Sequence, residues 1–486
     1  MKKLSIIFAV LIVVLIALAV VPVVAFVQST PIVIETTTNI LQGIGATNNI
    51  NTFWANGRHW IIYTNAGSDV VYRSATEEDP DEWTEEVLIV ADTIGFGPEL
   101  SIWFDDTSNT IHYARHDYVN KLTKYRMGTP GTGGTITWAD VEQTVSATPS
   151  ALVTFRISMC TDIEGNPWVA WVDNPGPEDN TTGILYIESS STENGTWTEW
   201  AHENITTTGY HTWFAQIVPV SSAPYSRVEV EYTVENQTSN ETKLMSSSEV
   251  DNFTEVHTIA AATSHDRPDA FSANNYGSAA VHCVYTADNG TIMHRVHSAA
   301  TTWTTAGAAE AIVSEVGSVG PWRPSLVNNG GPYEDIFCIF SDNAGIYQLV
   351  GDPITGWDAD PTSIYYNDEG VINRHTTSYE CYESAGVPLG LAFQYTEAGG
   401  DDTIYYWWLT DRQWGYYEGT ATEAAVFDLA NILPYMFLAI ALVSIIAVGL
   451  SGEAVSVVGI IVLTIAVVVT IIGVSVILAA LNSWNL

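Results

Sequence analysis

Apolar residues are distributed along this chain in two different ways. At both ends they run almost without interruption, and between the ends they come in short segments broken by glycine, asparagine and aspartate. The opening "MKKLSIIFAVLIVVLIALAVVPVVAFVQ" places Lys2 and Lys3 before an apolar run to Val27. This predicts a signal peptide over 1–27, cleaved after Ala25, or a retained membrane anchor. At the other end, 429–450 and 455–481 are apolar and separated by "SGEA". Each is long enough to cross about 30 Å of hydrocarbon, and in lipid only a helix satisfies its own backbone. So short a connection predicts an antiparallel transmembrane hairpin over 429–481, after a linker at 421–428. No Lys or Arg follows Arg412, so orientation must come from an exported domain, which puts "SGEA" inside and "NSWNL" outside.

The middle of the chain repeats. An aromatic followed by a small or charged residue recurs as Trp83-Thr84, Trp138-Ala139, Trp197-Thr198, Phe253-Thr254, Trp303-Thr304, Trp357-Asp358 and Trp414-Gly415. Ahead of each pair come up to three strand-like runs. "RPSLVNNGGP", "DIFCIFSDNAG" and "GIYQLV" form one such set, and "RPDAFSANNYG", "AVHCVYTADNG" and "TIMHRV" another. The Gly/Asn clusters between runs are hairpin signals, because both residues tolerate positive φ. The spacing suits four-stranded propeller blades. It divides the chain into 42–92, 93–146, 147–208, 209–261, 262–316, 317–369 and 370–420. The expected fold is therefore all-β, a seven-bladed β-propeller over 42–420, with six blades the lesser alternative. "PIVIETT" at 31–37, within a linker at 28–41, is a spare strand that could close the last blade by pairing near 403–409. Alternatively, the segment after Trp414 finishes that blade itself. The repeated aromatics are expected to pack between blades.

Composition narrows the function classes. With 16 Lys+Arg against 55 Asp+Glu the net charge is −39, so nucleic acid is not an expected partner. Cys160, Cys283, Cys338 and Cys381 fall in strand-like segments without ligand spacing. They read as buried free thiols, although an exported location would permit disulfides. No metal site or cofactor is expected. Seven glycosylation sequons, at Asn180, Asn194, Asn204, Asn236, Asn240, Asn252 and Asn289, lie in units three to five.

The first strand of each blade should line a central channel. Arg156, Arg267, Arg323 and Arg374 stand at or near the start of those strands, with Glu99 in the second unit and His211 in the fourth. At this point the chain resembles the sialidase/BNR-repeat propeller superfamily. "SSTENGTW" is similar to a degenerate Asp-box through Ser191, Glu193, Gly195 and Trp197, and "FRIS" at 155–158 is similar to that family's Phe-Arg-Ile-Pro. The resemblance implies an arginine cluster on a substrate carboxylate, a tyrosine nucleophile paired with glutamate, and an aspartate acid/base. Guanidinium groups bind carboxylates bidentately. Arg156, Arg267, Arg323 and Arg374 become ligand-binding candidates, with Tyr379 or Tyr382, Glu99 and Asp266 for catalysis. Lyases built on seven-bladed propellers use His and Tyr beside arginine, so His211, His375 and Tyr379 could imitate such a site.

The expectation is a propeller tethered by its hairpin to a cell membrane or viral envelope and facing outward. Its role would be recognition or adhesion toward a glycan or other anionic ligand. A sialidase-like hydrolase or polysaccharide lyase is one alternative. A structural surface component packing against copies of itself is another, and a homo-oligomer is compatible with either. The arginines could also serve only as staples between blades, paired with Asp266, Asp269 or Glu99.

Overall fold

The computed structural model describes residues 31–37, 50–76, 82–91, 100–117, 120–139, 141–145, 154–173, 184–190, 196–203, 210–220, 228–236, 241–248, 253, 256–262, 271–276, 280–287, 290–298, 306–313, 324–329, 336–342, 345–352, 356–358, 361–366, 370–381, 388–397 and 400–409. All of them belong to the compact unit Ser29–Tyr416. The signal or anchor segment 1–27, the linker 421–428 and the hairpin 429–481 lie outside the described residues.

The described residues build seven small sheets, numbered here in chain order, antiparallel apart from one short parallel pair in the sixth, and no helix. The first is Thr52–Ala55, Arg58–Thr64, Val70–Thr76 and Val87–Val90. The third runs Thr154–Thr161, Pro167–Asp173, Ile184–Ser189 and Thr198–Glu203. The fourth is Tyr210–Pro219, Val228–Asn236, Glu241–Ser248 and His257–Ala262; the fifth is Phe271–Tyr276, Ala280–Thr286, Ile292–Ser298 and Glu310–Val313. In the second sheet Leu100–Asp105, Thr110–Asp117 and Leu122–Pro130 are followed by two short outer strands, Ile136–Trp138 and Gln143–Thr144, sharing one partner. The sixth repeats that split. After Ser325–Asn329, Ile336–Ser341 and Gly345–Asp352 come Gly356–Trp357 and Thr362–Tyr366.

The seventh sheet joins the two ends of this unit. Gly370–Thr377, Leu389–Glu397 and Asp402–Leu409 are in sequence order, and the outer strand is Ile32–Thr37, antiparallel to Asp402–Leu409. "PIVIETT" thus covers the edge that Asp402–Leu409 would otherwise expose.

Local sequence explains the hairpins. Asn56 and Gly57 hold φ of 54° and 71°, the type I′ turn whose twist matches its flanking strands. Asp162 closes another turn by accepting from the Glu164 and Asn166 N–H groups, while its other oxygen accepts from Trp168 Nε1 at 3.0 Å. Several second strands are apolar nearly throughout, as in Ile336–Ser341, where every residue is buried, while Thr110–Asp117 and Val228–Asn236 mix in polar and charged residues. A sheet covered on both faces needs such a run. Cys283 lies opposite Ala273 and Cys338 opposite Leu326, an equivalent register, and Cys160, Cys283 and Cys338 are buried free thiols. Cys381 lies in the short strand Glu380–Cys381, parallel to Ser325–Asn329.

Each sheet touches the next, and the seventh touches the first. The first strands stand beside one another at the centre, joined by one recurring device. Ser101 Oγ accepts from the Met159 N–H (3.2 Å), Ser158 Oγ from the Ile217 N–H (3.0 Å), and Ser272 Oγ from the Leu326 N–H (3.1 Å). Gln216 both accepts from the Ala273 N–H and donates to its carbonyl, each at 2.9 Å. Between the last and first sheets Thr52 Oγ1 donates to Gly390 O (3.2 Å). Sheets arranged radially in this way form a β-propeller.

The repeated aromatics pack backward onto the preceding sheet. Trp83 meets Tyr406, Trp197 meets Tyr125, Phe253 meets Trp168 and Trp357 meets His294, with ring centroids 4.8, 5.1, 6.2 and 5.1 Å apart. Gly128 lies beneath Trp138 and Gly351 beneath Trp357; a Cβ at either would come within 3.0 Å of the indole. Trp303 and Trp414 lie outside the described residues.

Candidate functional site

The serine and glutamine positions supply a common register for the candidate arginines. Arg156, Arg323 and Arg374 each stand two residues before a seam-register position, Ser158, Ser325 and Thr376, and Glu99 stands two before Ser101. Arg267 and His211 stand five before Ser272 and Gln216. The backbone is irregular in three of these places. Pairing slips between Phe155 and Ile157, leaving Arg156 as the extra residue, between Thr212 and Phe214, and between Ile372 and Arg374. Such bulges bend a strand and re-aim its side chains, and they concentrate at the rims of closed sheets. Arg374 is half-buried and pairs with Gln394. Of Arg156 and His211 only the backbone is described. Glu99, Asp266, Arg267, Arg323 and Tyr382 lie outside the described residues, as do the sequon residues Asn180, Asn194, Asn204, Asn240, Asn252 and Asn289, while Asn236 ends a described strand.

Tyr379 and His375 are placed elsewhere than a shared arginine mouth would require. Tyr379 lies five residues beyond Arg374, about 16 Å along an extended chain. Its ring packs on Trp103 (4.4 Å) and its hydroxyl accepts from the Asn275 N–H (3.1 Å). Its carbonyl accepts from Asn274 Nδ2 (2.9 Å) and the Asn328 N–H (3.1 Å). One residue thus touches first strands of the second, fifth and sixth sheets, which places it across the centre at the far end of those strands. His375 is fully buried, with Nε2 3.3 Å from Ser325 Oγ and Nδ1 2.9 Å from Ser341 Oγ. It bridges the sixth and seventh sheets.

The described arginines of the third strands do staple, but at the periphery and to carbonyls. Arg73, Arg126 and Arg295 donate through Nε to Thr84 O (2.8 Å), Ala139 O (2.7 Å) and Gly307 O (3.1 Å). Arg73 also reaches Ile34 O in the seventh sheet, and Arg295 reaches Ile259 O in the fourth (2.7 Å). Each follows an aromatic ring, as in Tyr72-Arg73, Tyr125-Arg126 and His294-Arg295, a spacing visible in the sequence that its reading passed over. Arg115 forms a bidentate pair with Glu142, both bonds 2.7 Å. Burial alone would raise Glu142, but Arg115 and the Tyr113 hydroxyl hold it below the usual carboxylate range.

Buried titratable groups are numerous and inward-facing. Burial drives His59 and His282 down to about 3 and His112 and His116 to about 4, so all four are neutral at pH 7. Glu229 accepts from Ser246 Oγ (2.5 Å) and meets His297 Nε2 at 3.1 Å. Glu231 beside it is 0% exposed, and burial, then the Glu229 charge, raise it well above the ordinary carboxyl value. A ligand in solvent reaches neither.

No protein-family description matches the chain, and no curated protein matches it. Among solved structures, one that is similar is an ulvan lyase, a polysaccharide lyase bound to -[GlcA(1-4)Rha3S]-. It is 9% identical, with a TM-score of 0.50 over 79% of this chain and 96% of that one. The Aleuria aurantia lectin matches at 10% identity and TM-score 0.41 over 66% and 94%, and the intramolecular trans-sialidase from Ruminococcus gnavus at 9% and 0.40 over 78% and 99%. At such identities the ulvan lyase likeness speaks to the fold alone.

Proposed function

We propose that this protein is a seven-bladed propeller that recognises an acidic glycan at the mouth where its first strands begin. The observation that carries the reading is the shared register of Arg156, Arg323 and Arg374, two residues ahead of the positions that align the first strands. Bulges at or beside Arg156 and Arg374 support it, since they turn strand starts away from regular pairing. Arg267 and His211, three residues further out, form the rim. Planar guanidinium groups on several strands suit a carboxylate or sulfate sugar. The ulvan lyase of similar fold is bound to a saccharide of that kind.

Recognition is favoured over turnover because the candidate groups for chemistry are engaged elsewhere. The Tyr379 hydroxyl accepts from a backbone N–H, and both His375 nitrogens face serine hydroxyls. Glu99 and Asp266 remain the carboxylates to assay if a sugar is cleaved. In this reading the leader 1–27 exports the propeller, the hairpin 429–481 holds it in a membrane, and sequons at Asn180 to Asn289 carry glycans on the outward side.

The deciding experiment is titration of the detergent-solubilised chain with uronic-acid, sulfated and neutral oligosaccharides. Arg323→Ala and Arg374→Ala should each weaken acidic-sugar binding about tenfold or more and leave melting unchanged. Equal affinity for neutral and acidic sugars, or binding indifferent to both substitutions, would remove the reading. Turnover that Glu99→Gln abolishes would replace it with a hydrolase or lyase.

A further inference from the structure

The seam between the seventh and first sheets brings two carboxyls, Glu35 and Glu86, into interaction. In the outer strand Ile32–Thr37, pairing slips between Val33↔Tyr405 and Glu35↔Ile404, so Ile34 has no partner in the ladder. The Ile34 side chain is buried, and its carbonyl accepts from Arg73 Nη1 of the first sheet. Arg73 Nε donates to Thr84 O, so one guanidinium ties the closing strand to the segment leading into Val87–Val90.

Glu35 follows, half-buried, and its carboxyl interacts across the seam with Glu86 and Arg73. Glu86 is held in place: its oxygens accept from the Tyr63 hydroxyl (2.6 Å) and from Asn65 Nδ2 (3.0 Å). Tyr63, on the second strand of the first sheet, also feels Glu35. Within its own sheet Glu35 lies opposite Ile404, and the nearest acidic residue in the register is Asp402, opposite Thr37. A fixed carboxylate repels a second one unless the second carries a proton, and with that proton the two can share a hydrogen bond.

We propose that residues 32–37 are a pH-sensitive latch on the ring, closed when Glu35 is protonated and donates to Glu86, and loosened when Glu35 ionises. Partial burial, the Glu86 charge and its hydrogen bond raise Glu35 from 4.5 to about 7, with Arg73 opposing. The folded chain therefore keeps a proton that an unfolded one has already lost. The latch is at full strength below about pH 4.5, weakens as pH climbs to about 7, and changes no further above that. In mild acid the closing strand is held; at neutral pH and above it opens more readily, exposing the edge of Asp402–Leu409.

The test is amide hydrogen exchange on the full-length chain between pH 5 and 8, corrected for intrinsic rates. Protection within 32–37 and 402–409 should fall about tenfold, less than the full displacement of Glu35 would allow because its carboxyl is partly exposed. Pro167–Asp173 serves as an internal reference. Glu35→Gln, which imitates the protonated carboxyl, should keep the acid-level protection at pH 8. Glu86→Gln, which removes the repelling charge, should do the same by an independent route. Wild-type protection that does not change over this range overturns the proposal. So does a fall of equal size in Glu35→Gln and Glu86→Gln.

Discussion

Neighbouring sheets are joined by different chemistry at the centre and at the periphery. At the centre, short side chains such as Ser101, Ser158 and Ser272, and the amide of Gln216, meet backbone groups of the next first strand, all of them buried. At the periphery, long cationic side chains such as Arg73 and Arg295 reach carbonyls of the preceding outer strand, beside Trp83 and Trp357 packed on Tyr406 and His294. The difference follows from spacing. First strands converge, so a hydroxyl spans the gap; outer strands diverge, and only an arginine or an indole is long enough. Buried polar groups at the centre have no water to fall back on, whereas the outer ones do.

That contrast implies an order of effects. Gln216→Ala strips both the N–H and the carbonyl of Ala273 of their partner inside the protein. It should destabilise by about 2–4 kcal/mol in urea unfolding, since each orphaned buried group costs about 1–3 kcal/mol. A loss below about 0.5 kcal/mol would mean the centre is wetter than drawn.

Glu231 comes next. Its folded value is raised, so its stabilising contribution is present below the ordinary carboxyl range and is lost as pH rises through the folded value. Glu231→Gln should therefore leave stability near pH 4 almost unchanged. It should flatten the decline toward pH 8, by about 1 kcal/mol or more at the upper end. Parallel melting curves at both pH values would show that Glu231 is not the titrating group.

Arg295→Ala removes three peripheral bonds that solvent can partly replace, and should cost about 1 kcal/mol. If the proposed recognition site is right, Arg374→Ala should cost the least, within about 0.5 kcal/mol, while losing sugar binding. If Arg374→Ala were the more damaging of the two, the mouth arginine would be a staple and the recognition reading would lose its main support.

Much of the fold was legible in the sequence because it depends on local pattern. The turns at Asn56-Gly57 and Asp162–Asn166, apolar second strands such as Ile336–Ser341 and the shared register of Cys283 and Cys338 all follow from periodicity and turn chemistry. The recurring aromatics were expected between blades, and Trp83, Trp197 and Trp357 pack there. The site was less legible. The seam positions use serine, glutamine and threonine, residues too ordinary in a polar chain to stand out. Only the contacts between sheets show that Ser158 and Ser272 do the same work.

"VEVEY" at 228–232 marks where sequence and tertiary structure part. Its alternation determines a strand, with Val228, Val230 and Tyr232 on one face and Glu229 and Glu231 on the other. By itself that pattern puts the glutamates in water. The neighbouring sheet covers the second face as well, so both carboxyls are buried, and Glu229 meets His297 and Ser246 instead of solvent. Tyr379 is the same lesson at longer range: its place in the seventh unit, soon after Arg374, was readable, but its place across the centre, touching Trp103, Asn275 and Asn328, was not. Strand, turn and register are set by neighbours a few residues away, and the sequence carries those directly. Which faces are covered, and which distant groups converge at the centre, depends on how the sheets close into a ring, and only the folded chain decides that.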